Sequence, residues 1–379
     1  RRISSTQKNI KNYISNMALC RCNRSYSLSD DFSLLRLLMQ NIRREDISII
    51  MWLFSGCFLI FTMVIVGGVT RLTGSGLSMV DWKLFMGAIP PLNHQEWIDA
   101  FEQYKQYPEF KERNYMFSLS DFKNIFFWEY IHRVLGRFIG LVFIIPYLYF
   151  IIRKRFSKKL IFQTTILLFM GATQGFLGWW MVKSGLVDNP DVSHIRLATH
   201  LTTAFLTFSY TFWIALSLVF PKKEFNNKTL YKISFALIFI VLIQIIYGAF
   251  VAGLDAGKVY NTWPKMHDQW IAESVYAMTP FWNNFINGLA GVQFIHRTFA
   301  YLVFGLIVYL FIKSKKFDLN KIENTAINIL LITVFIQMVL GIITLVLGVP
   351  IWLGVIHQLG AFILLASTVF CLFIFKKTR

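Results

Sequence analysis

Acidic residues are scarce in this chain: 20 Asp and Glu stand against 38 Lys and Arg in 379 residues, and only 15% of positions are charged. So low a charge density excludes the disordered classes. Cysteine is scarcer still. The four cysteines, Cys20, Cys22, Cys57 and Cys371, imply no disulfide framework. Cys20 and Cys22 are too closely spaced for a zinc half-site and have no second pair to complete one. Nine prolines and 22 glycines without a period exclude collagen-like and Pro-rich chains.

Apolar residues fill the space instead, at 55% hydrophobic and 17% aromatic, with 38 Phe and 11 Trp. A helix that crosses a hydrocarbon core of about 30 Å needs about 20 apolar residues. Eight runs meet that requirement: Ile47–Val66, Ile125–Ile152, Leu160–Val182, Leu197–Phe220, Ile233–Leu254, Ile286–Ile312, Ala326–Val349 and Ile351–Phe375. The expected fold is therefore an all-α polytopic membrane protein with eight transmembrane helices.

The net charge of +18 raises nucleic acid as a partner until the basic residues are located. They lie in the acid-free segment Arg1–Ser29 and in four short segments, Arg153–Leu160, Pro221–Lys232, Lys313–Lys321 and Lys376–Arg379. These are a tail and helix-end loops, not a groove that tracks phosphates, so no nucleic-acid partner is expected. Residues 1–46 read as a basic mitochondrial transit peptide followed by a matrix linker. The four internal and C-terminal basic segments follow the second, fourth, sixth and eighth helices, so the positive-inside rule puts both termini on the matrix side. The long loops Thr70–Asn124 and Asp255–Phe285 then face the intermembrane space, and they are large enough to form lids. That reading makes the chain a multi-pass protein of the mitochondrial inner membrane.

The chain also repeats itself. Tyr130-Ile-His-Arg133 recurs as Phe294-Ile-His-Arg297, Gln174-Gly-Phe-Leu-Gly178 as Gln337-Met-Val-Leu-Gly341, and His200 with Ala204-Phe205 as His357 with Ala361-Phe362. Gly67 and Gly76-x5-Trp82 recur as Gly248 and Gly257-x5-Trp263. Four helices in each half give both copies the same orientation, related by an axis along the membrane normal. Two tandem, pseudo-twofold-related four-helix bundles follow, residues 47–220 and 221–379.

An ionisable residue inside a membrane helix is costly and reads as functional. His132, His200, His296 and His357 fit that description. They lie 16–20 residues before the basic ends of their helices, which at 1.5 Å per residue is about 24–30 Å. All four therefore sit near the outer surface, one pair to each bundle, as two axial ligands of a haem iron would. Zinc suits the pairs less well, because neither half supplies a third ligand. Arg133 and Arg297 directly follow two of the histidines and are candidate partners for haem propionates. The Gln-x3-Gly pairs Gln174/Gly178, Gln244/Gly248 and Gln337/Gly341 each lie on one helix face, where a small residue lets a macrocycle or, equally, a packed helix approach closely. His94, His194 and His267 read as surface residues in loops.

One difference between the halves stands out. Glu129 lies three residues before His132, whereas Gln293 lies three before His296. Only the first half has a carboxylate beside its histidine, able to take or give a proton, so the reaction is assigned there and a permanent haem to the second half.

With these residues the chain resembles the haem A synthase family in its mitochondrial and alphaproteobacterial branch, from about Met51 to Phe375. The strings that carry the likeness are Gly67-Gly-Val-Thr-Arg-Leu-Thr-Gly-Ser-Gly-Leu-Ser-Met79, Glu129-Tyr-Ile-His-Arg133, Trp180-Met-Val-Lys-Ser-Gly185, Arg196-Leu-Ala-Thr-His200, Ala252-Gly-Leu-Asp-Ala-Gly257 and Gln293-Phe-Ile-His-Arg297. The resemblance implies an oxidoreductase that oxidises the methyl group of haem O to the formyl group of haem A through a hydroxymethyl intermediate, for cytochrome c oxidase biogenesis. It implies that His296 and His357 ligate a haem b cofactor, that His132 and His200 face the substrate haem, and that Glu129 is the catalytic carboxylate. The partners it implies are haem O, a ferredoxin-type electron donor and a haem O synthase; the apolar runs add the lipid bilayer, and a second copy of the chain is an option the residues leave open. The chain departs from some bacterial relatives in having no cysteine pair in Thr70–Asn124. A transmembrane bis-histidine cytochrome b-type electron carrier is the alternative from the residues alone, and Glu129 against Gln293 argues against it. A repeat-built transporter would place its site near the midplane on broken helices, which these are not.

Overall fold

The computed structural model describes residues 43–80, 89–187, 190–221 and 227–376. The basic segment expected as a transit peptide, with Cys20 and Cys22, lies outside the described residues up to residue 42, and so does Trp82 of the repeated glycine–tryptophan motif.

Ten α-helices, with short 3-10 turns before α1 and between α7 and α8, make up the regular structure of the described residues. Helix α1 is Ile47–Leu72. The connection that follows α1 carries α2 (His94–Tyr104) and α3 (Pro108–Glu112). The remaining helices are α4 (Leu119–Ile152), α5 (Lys158–Lys183), α6 (His194–Val219), α7 (Lys228–Gly253), α8 (Leu289–Ser314), α9 (Lys321–Val346) and α10 (Ile351–Phe375). Eight of them, all except α2 and α3, are long and apolar enough to cross a membrane, as the hydropathy reading expects.

Polar caps decide where several of these helices begin. Ser118 and Asp121 form a capping box that starts α4 at Leu119, six residues before its apolar run, so the helix projects into the outer loop. Asn320 and Glu323 do the same for α9, and Ser157 and Asn227 cap α5 and α7. The apolar run of α1 is expected to end at Val66, but the helix continues through Thr70 and Arg71 to Leu72, and Gly74 then turns the chain with φ +64°.

Packing divides the spanning helices as the internal repeat predicts. Helix α1 packs on α4, α4 on α5, α5 on α6 and α6 on α1, which closes a ring of four; α7, α8, α9 and α10 close a second ring in the same order. The rings meet through α6 on α7 and α10 on α1, contacts that a twofold axis would interchange, and through α6 on α10 beside that axis. There the repeat-related rings of Phe205 and Phe362 touch edge to face, with centroids 5.3 Å apart. Both side chains are buried in a core that runs from Cys57 and Val64 on α1 to Phe375 on α10.

Candidate functional site

Each of the four intramembrane histidines lies against a glycine on the helix paired with its own. A Cβ at Gly67 of α1 would stand 3.3 Å from Nε2 of His132 on α4, and one at Gly178 of α5 would stand 3.3 Å from Cε1 of His200 on α6. In the second ring, a Cβ at Gly248 of α7 would be 3.1 Å from Cε1 of His296 on α8, and one at Gly341 of α9 would be 2.9 Å from Cε1 of His357 on α10. All four glycines precede the C-terminal end of their helix by five residues. The histidines are therefore level, near one surface, as the residue counts predict. For Gly178, Gly248 and Gly341 the sequence offers close approach of either a helix or a macrocycle. The position of all four shows a further role: without a side chain, each lets an imidazole lie against the backbone of its neighbour.

Two of the three glutamines that lie one turn before these glycines also reach the rings. Gln337 Nε2 donates to the His357 carbonyl at 2.9 Å and lies 3.2 Å from its Nδ1, and Gln244 Nε2 lies 3.5 Å from His296 Nε2. Gln174 is the corresponding residue of α5, and its Nε2 is buried without a partner. Nδ1 of His200 and Nδ1 of His296 are likewise buried without partners, as are Oε1 of Gln244 and Oε1 of Gln337. Buried polar atoms are otherwise almost always bonded, so orphans concentrated around two histidine pairs mark places that need a polar or metal-bearing occupant.

The spacing of the second pair tests which occupant fits. The His296 and His357 ring centroids are 6.4 Å apart, with planes at 84°. Two imidazoles bound on opposite sides of one metal, with metal–nitrogen bonds of about 2.0 Å and a ring radius of about 1.1 Å, would have centroids about 6.2 Å apart. The pair therefore suits one six-coordinate iron with two axial histidines. His132 and His200 hold the corresponding places in the first ring. Among the described residues, no three His, Cys, Asp or Glu converge as a caged metal ion would require.

Glu129 is 3% exposed and fully engaged. Its Oε2 accepts from Ser78 Oγ at 2.7 Å and from the Met79 amide at 2.8 Å, and its Oε1 accepts from Arg133 Nη2 at 2.7 Å and Nε at 3.1 Å. The same Arg133 Nη2 donates to the Met79 carbonyl at 2.6 Å. The second half has the same frame. There Arg297 Nη2 donates to the carbonyl of Tyr260, the repeat counterpart of Met79, at 2.6 Å, and Gln293 Nε2 donates to that carbonyl at 3.2 Å. Both arginines thus hold the segment that follows the preceding helix. Arg297 keeps a buried Nε without a partner, whereas Arg133 is committed to Glu129.

Three further residues bear on the site. Arg137, five residues beyond His132, is an intramembrane cation where the second half has Tyr301; a charge inside an apolar run was the signal for it in the sequence, and it was missed. Arg71 Nη2 crosses from the first ring to the second, donating to the carbonyls of Ala252 and Gly253 at 3.0 and 3.1 Å at the end of α7. His194, expected in a loop at the surface, is instead the first residue of α6. Its ring lies edge-on to Phe250 at 5.3 Å, and a Cβ at Gly253 would overlap its Cβ. The correction has a simple cause: α6 continues three residues beyond its apolar run, where it meets α7 closely. His94 and His267 are exposed, although His94 opens α2.

Comparison with known proteins gives a consistent result. The family model described as cytochrome oxidase assembly protein matches residues 50–369. A protein of Flavobacterium psychrophilum named heme A synthase is 54% identical over 338 residues, which cover 88% of this chain and all of the relative. Proteins of the same name from Nitrosospira multiformis and Wolbachia pipientis wMel are 43% and 41% identical; the matches cover 84% and 86% of this chain and 91% and 92% of the relatives.

Proposed function

The chain belongs to the cytochrome oxidase assembly protein family, and on that footing we propose that it is a membrane-bound haem A synthase, oxidising the methyl group of haem O to the formyl group of haem A. The observation that carries this reading is the exchange of one group in a duplicated frame. Glu129 and Gln293 occupy equivalent places beside equivalent histidines and arginines, and only Glu129 can carry a charge or a proton.

In this reading the first ring receives haem O between His132 and His200, and the second ring holds haem b between His296 and His357. Haem b, when bound, would supply one-electron transfer close to the substrate. The residues of the chain do the rest. Gly67, Gly178, Gly248 and Gly341 fix how closely each imidazole approaches its neighbouring helix, and Gln244 and Gln337 restrain the rings of the second pair. Each C–H bond broken in the oxidation releases a proton together with electrons; the iron chemistry would take the electrons, and Glu129, held by Ser78, Met79 and Arg133, would accept the proton. Arg297, with its spare Nε, is better placed than Arg133 to meet a haem carboxylate. Arg133 serves first to orient Glu129.

An apolar groove of about 450 Å3 opens between the rings, lined by residues that include Phe54, Phe58 and Phe61 of α1, Phe208 and Phe212 of α6 and Phe370 of α10. Its α1 residues lie six to thirteen positions inward of Gly67, about 9–20 Å along the helix. The farnesyl tail of haem O is assigned to it, and equal turnover of a haem lacking that tail would remove the assignment.

The location proposed is the mitochondrial inner membrane, from the basic leader and the loop charges; the relatives compared are bacterial. A ferredoxin-type donor, a haem O synthase and a second copy of the chain are the proposed partners. Haem extraction from protein purified out of cells that supply haem O tests the reading. Haem b together with haem O, its hydroxylated form or haem A supports it, whereas haem b alone, at two per chain, would favour the electron carrier.

A further inference from the structure

A cleft beside His200 differs from everything at the same place in the second ring. It has a volume of about 330 Å3 and is lined by Trp179, Trp180, Lys183, Ser184, Val187 and Arg196. Trp179 and Trp180 follow Gly178, which abuts His200, and Arg196 lies four residues before His200 on α6. One turn separates Arg196 from His200, so the two share a helix face about 6 Å apart along its axis. The cleft therefore opens one turn beyond the place where α5 and α6 bring Gly178 and His200 together.

Two indoles hold two cations here. The Arg196 guanidinium lies 4.6 Å over the Trp180 ring, with Nη1 donating to the Trp180 carbonyl at 2.8 Å, and Lys183 Nζ lies 5.2 Å over the Trp179 ring. These contacts position the cations without neutralising them. Asp191, the described carboxylate nearest to Arg196 in the sequence, bonds to Arg113 instead, at 2.6 Å.

The internal repeat shows what the cleft adds. With Gly178 aligned on Gly341 and His200 on His357, Trp179, Trp180, Lys183 and Arg196 fall opposite Ile342, Ile343, Val346 and Leu353. Leu353 is buried, so packing fills the place that Arg196 occupies in the first ring. The arginines beside the other two histidines differ in the opposite sense. Arg297 keeps a buried Nε without a partner, while Arg133 donates from Nε and Nη2 to Glu129. Cations open to an anion thus stand beside His296 in the second ring and beside His200 in the first.

We propose that Lys183 and Arg196 bind a carboxylate of the haem held in the first ring, and so set which way round the substrate lies between His132 and His200. This rests on reading that ring as the haem O site. The two carboxylates of a haem share one edge of the macrocycle, and a planar guanidinium stacked on an indole presents its remaining N–H groups to such an anion. Haem O carries several methyl groups on its rim, and fixing the carboxylate edge selects which of them Glu129 can reach.

The test reads binding rather than turnover. The full chain, purified with its haem b from cells that make no haem O, is titrated with haem O and with haem O dimethyl ester, which keeps the iron, the methyl groups and the tail but has no carboxylate charge. Absorbance changes that are lost in His200→Ala report the first ring. Wild type should bind haem O about tenfold or more tightly than the ester, as loss of a charged hydrogen bond implies. Lys183→Val combined with Arg196→Leu should bring that ratio close to one. A wild type that does not discriminate, or a double variant that still does, overturns the proposal. If the double variant does not fold, Lys183→Glu serves in its place, since Lys183 is exposed and the bond from Arg196 to Trp180 stays intact; the ratio should fall several-fold, and an unchanged ratio overturns the proposal. An anionic phospholipid is the other source of such a group. Phospholipid that is extracted with wild type but not with Lys183→Glu, together with unchanged discrimination against the ester, would give the cleft to a lipid phosphate and overturn the proposal. Absence of any His200-dependent site would sink the functional reading and the proposal with it, whereas a His200-dependent site indifferent to esterification sinks the proposal alone.

Discussion

His296 and His357 face each other across the second ring with their centroids 6.4 Å apart, and a Cβ at either Gly248 or Gly341 would press on one of the two rings. The spacing of the pair therefore depends on two residues that cannot themselves bind anything.

The first prediction concerns that clearance. Gly341→Ala should reduce the haem content of the purified protein several-fold, because the new methyl group would come 2.9 Å from Cε1 of His357 and displace an imidazole proposed to bind haem. Gly305→Ala on α8 meets nothing within 4 Å and should retain wild-type haem content. Equal haem loss in both variants would mean that helix packing, not ligand clearance, is being measured. His357→Ala should lose the haem altogether.

Glu129→Gln keeps the size of the side chain and removes its charge and its capacity to take a proton. Haem content should be unchanged while haem A formation falls by about 10²–10⁴, the usual contribution of a positioned acid or base. Product analysis by extraction and chromatography reads both quantities. Full haem A production by this variant would refute the role given to Glu129.

Arg71 joins the rings by donating to two carbonyls at the end of α7. Arg71→Ala should leave both histidine pairs in place and lower stability by about 1–3 kcal/mol, the cost of losing hydrogen bonds to a charged group. Detergent-induced unfolding, followed by haem release, would show it; a midpoint equal to wild type would show that the α6–α7 and α10–α1 contacts suffice alone.

Glu109 of α3 makes the connection after α1 sensitive to pH: it is 6% exposed, accepts from the Tyr104 hydroxyl at 3.0 Å, and is raised by burial to about 7. Below the ordinary range of a glutamate both folded and unfolded chains are protonated there, and the group contributes nothing to the difference. As pH rises from about 4.5 to about 7 the unfolded chain gives up this proton while the folded one keeps it, so the loop loses stability over that interval. Hydrogen exchange of α2 and α3, corrected for intrinsic rates, should show protection falling across it. In Glu109→Gln the protection should be flat.

Hydropathy located all eight spanning helices, and the repeated His-Arg, Gln-x3-Gly and Ala-Phe pairs announced two rings of four. Both properties are local: an apolar run long enough to span a bilayer has few alternatives to a helix, because its backbone groups must be bonded internally. Helix ends were less legible. Ser118 with Asp121 starts α4 six residues early, and α1 runs on past Val66 through Arg71, because caps and neighbouring helices stabilise polar turns that a hydropathy window discards.

The sequence by itself determined the residue types at the site, their depth and the one asymmetry between the halves, since each follows from position along a helix. Only the tertiary structure decided what those residues touch. It set Gly67, Gly178, Gly248 and Gly341 against the four imidazoles, placed Arg133 on Glu129, carried Arg71 across to the end of α7, and enclosed Glu109 with Tyr104 beside Phe122 of α4. Such contacts join residues up to 182 positions apart. They depend on which helix faces are turned together when the rings close, and no local pattern along one helix specifies that.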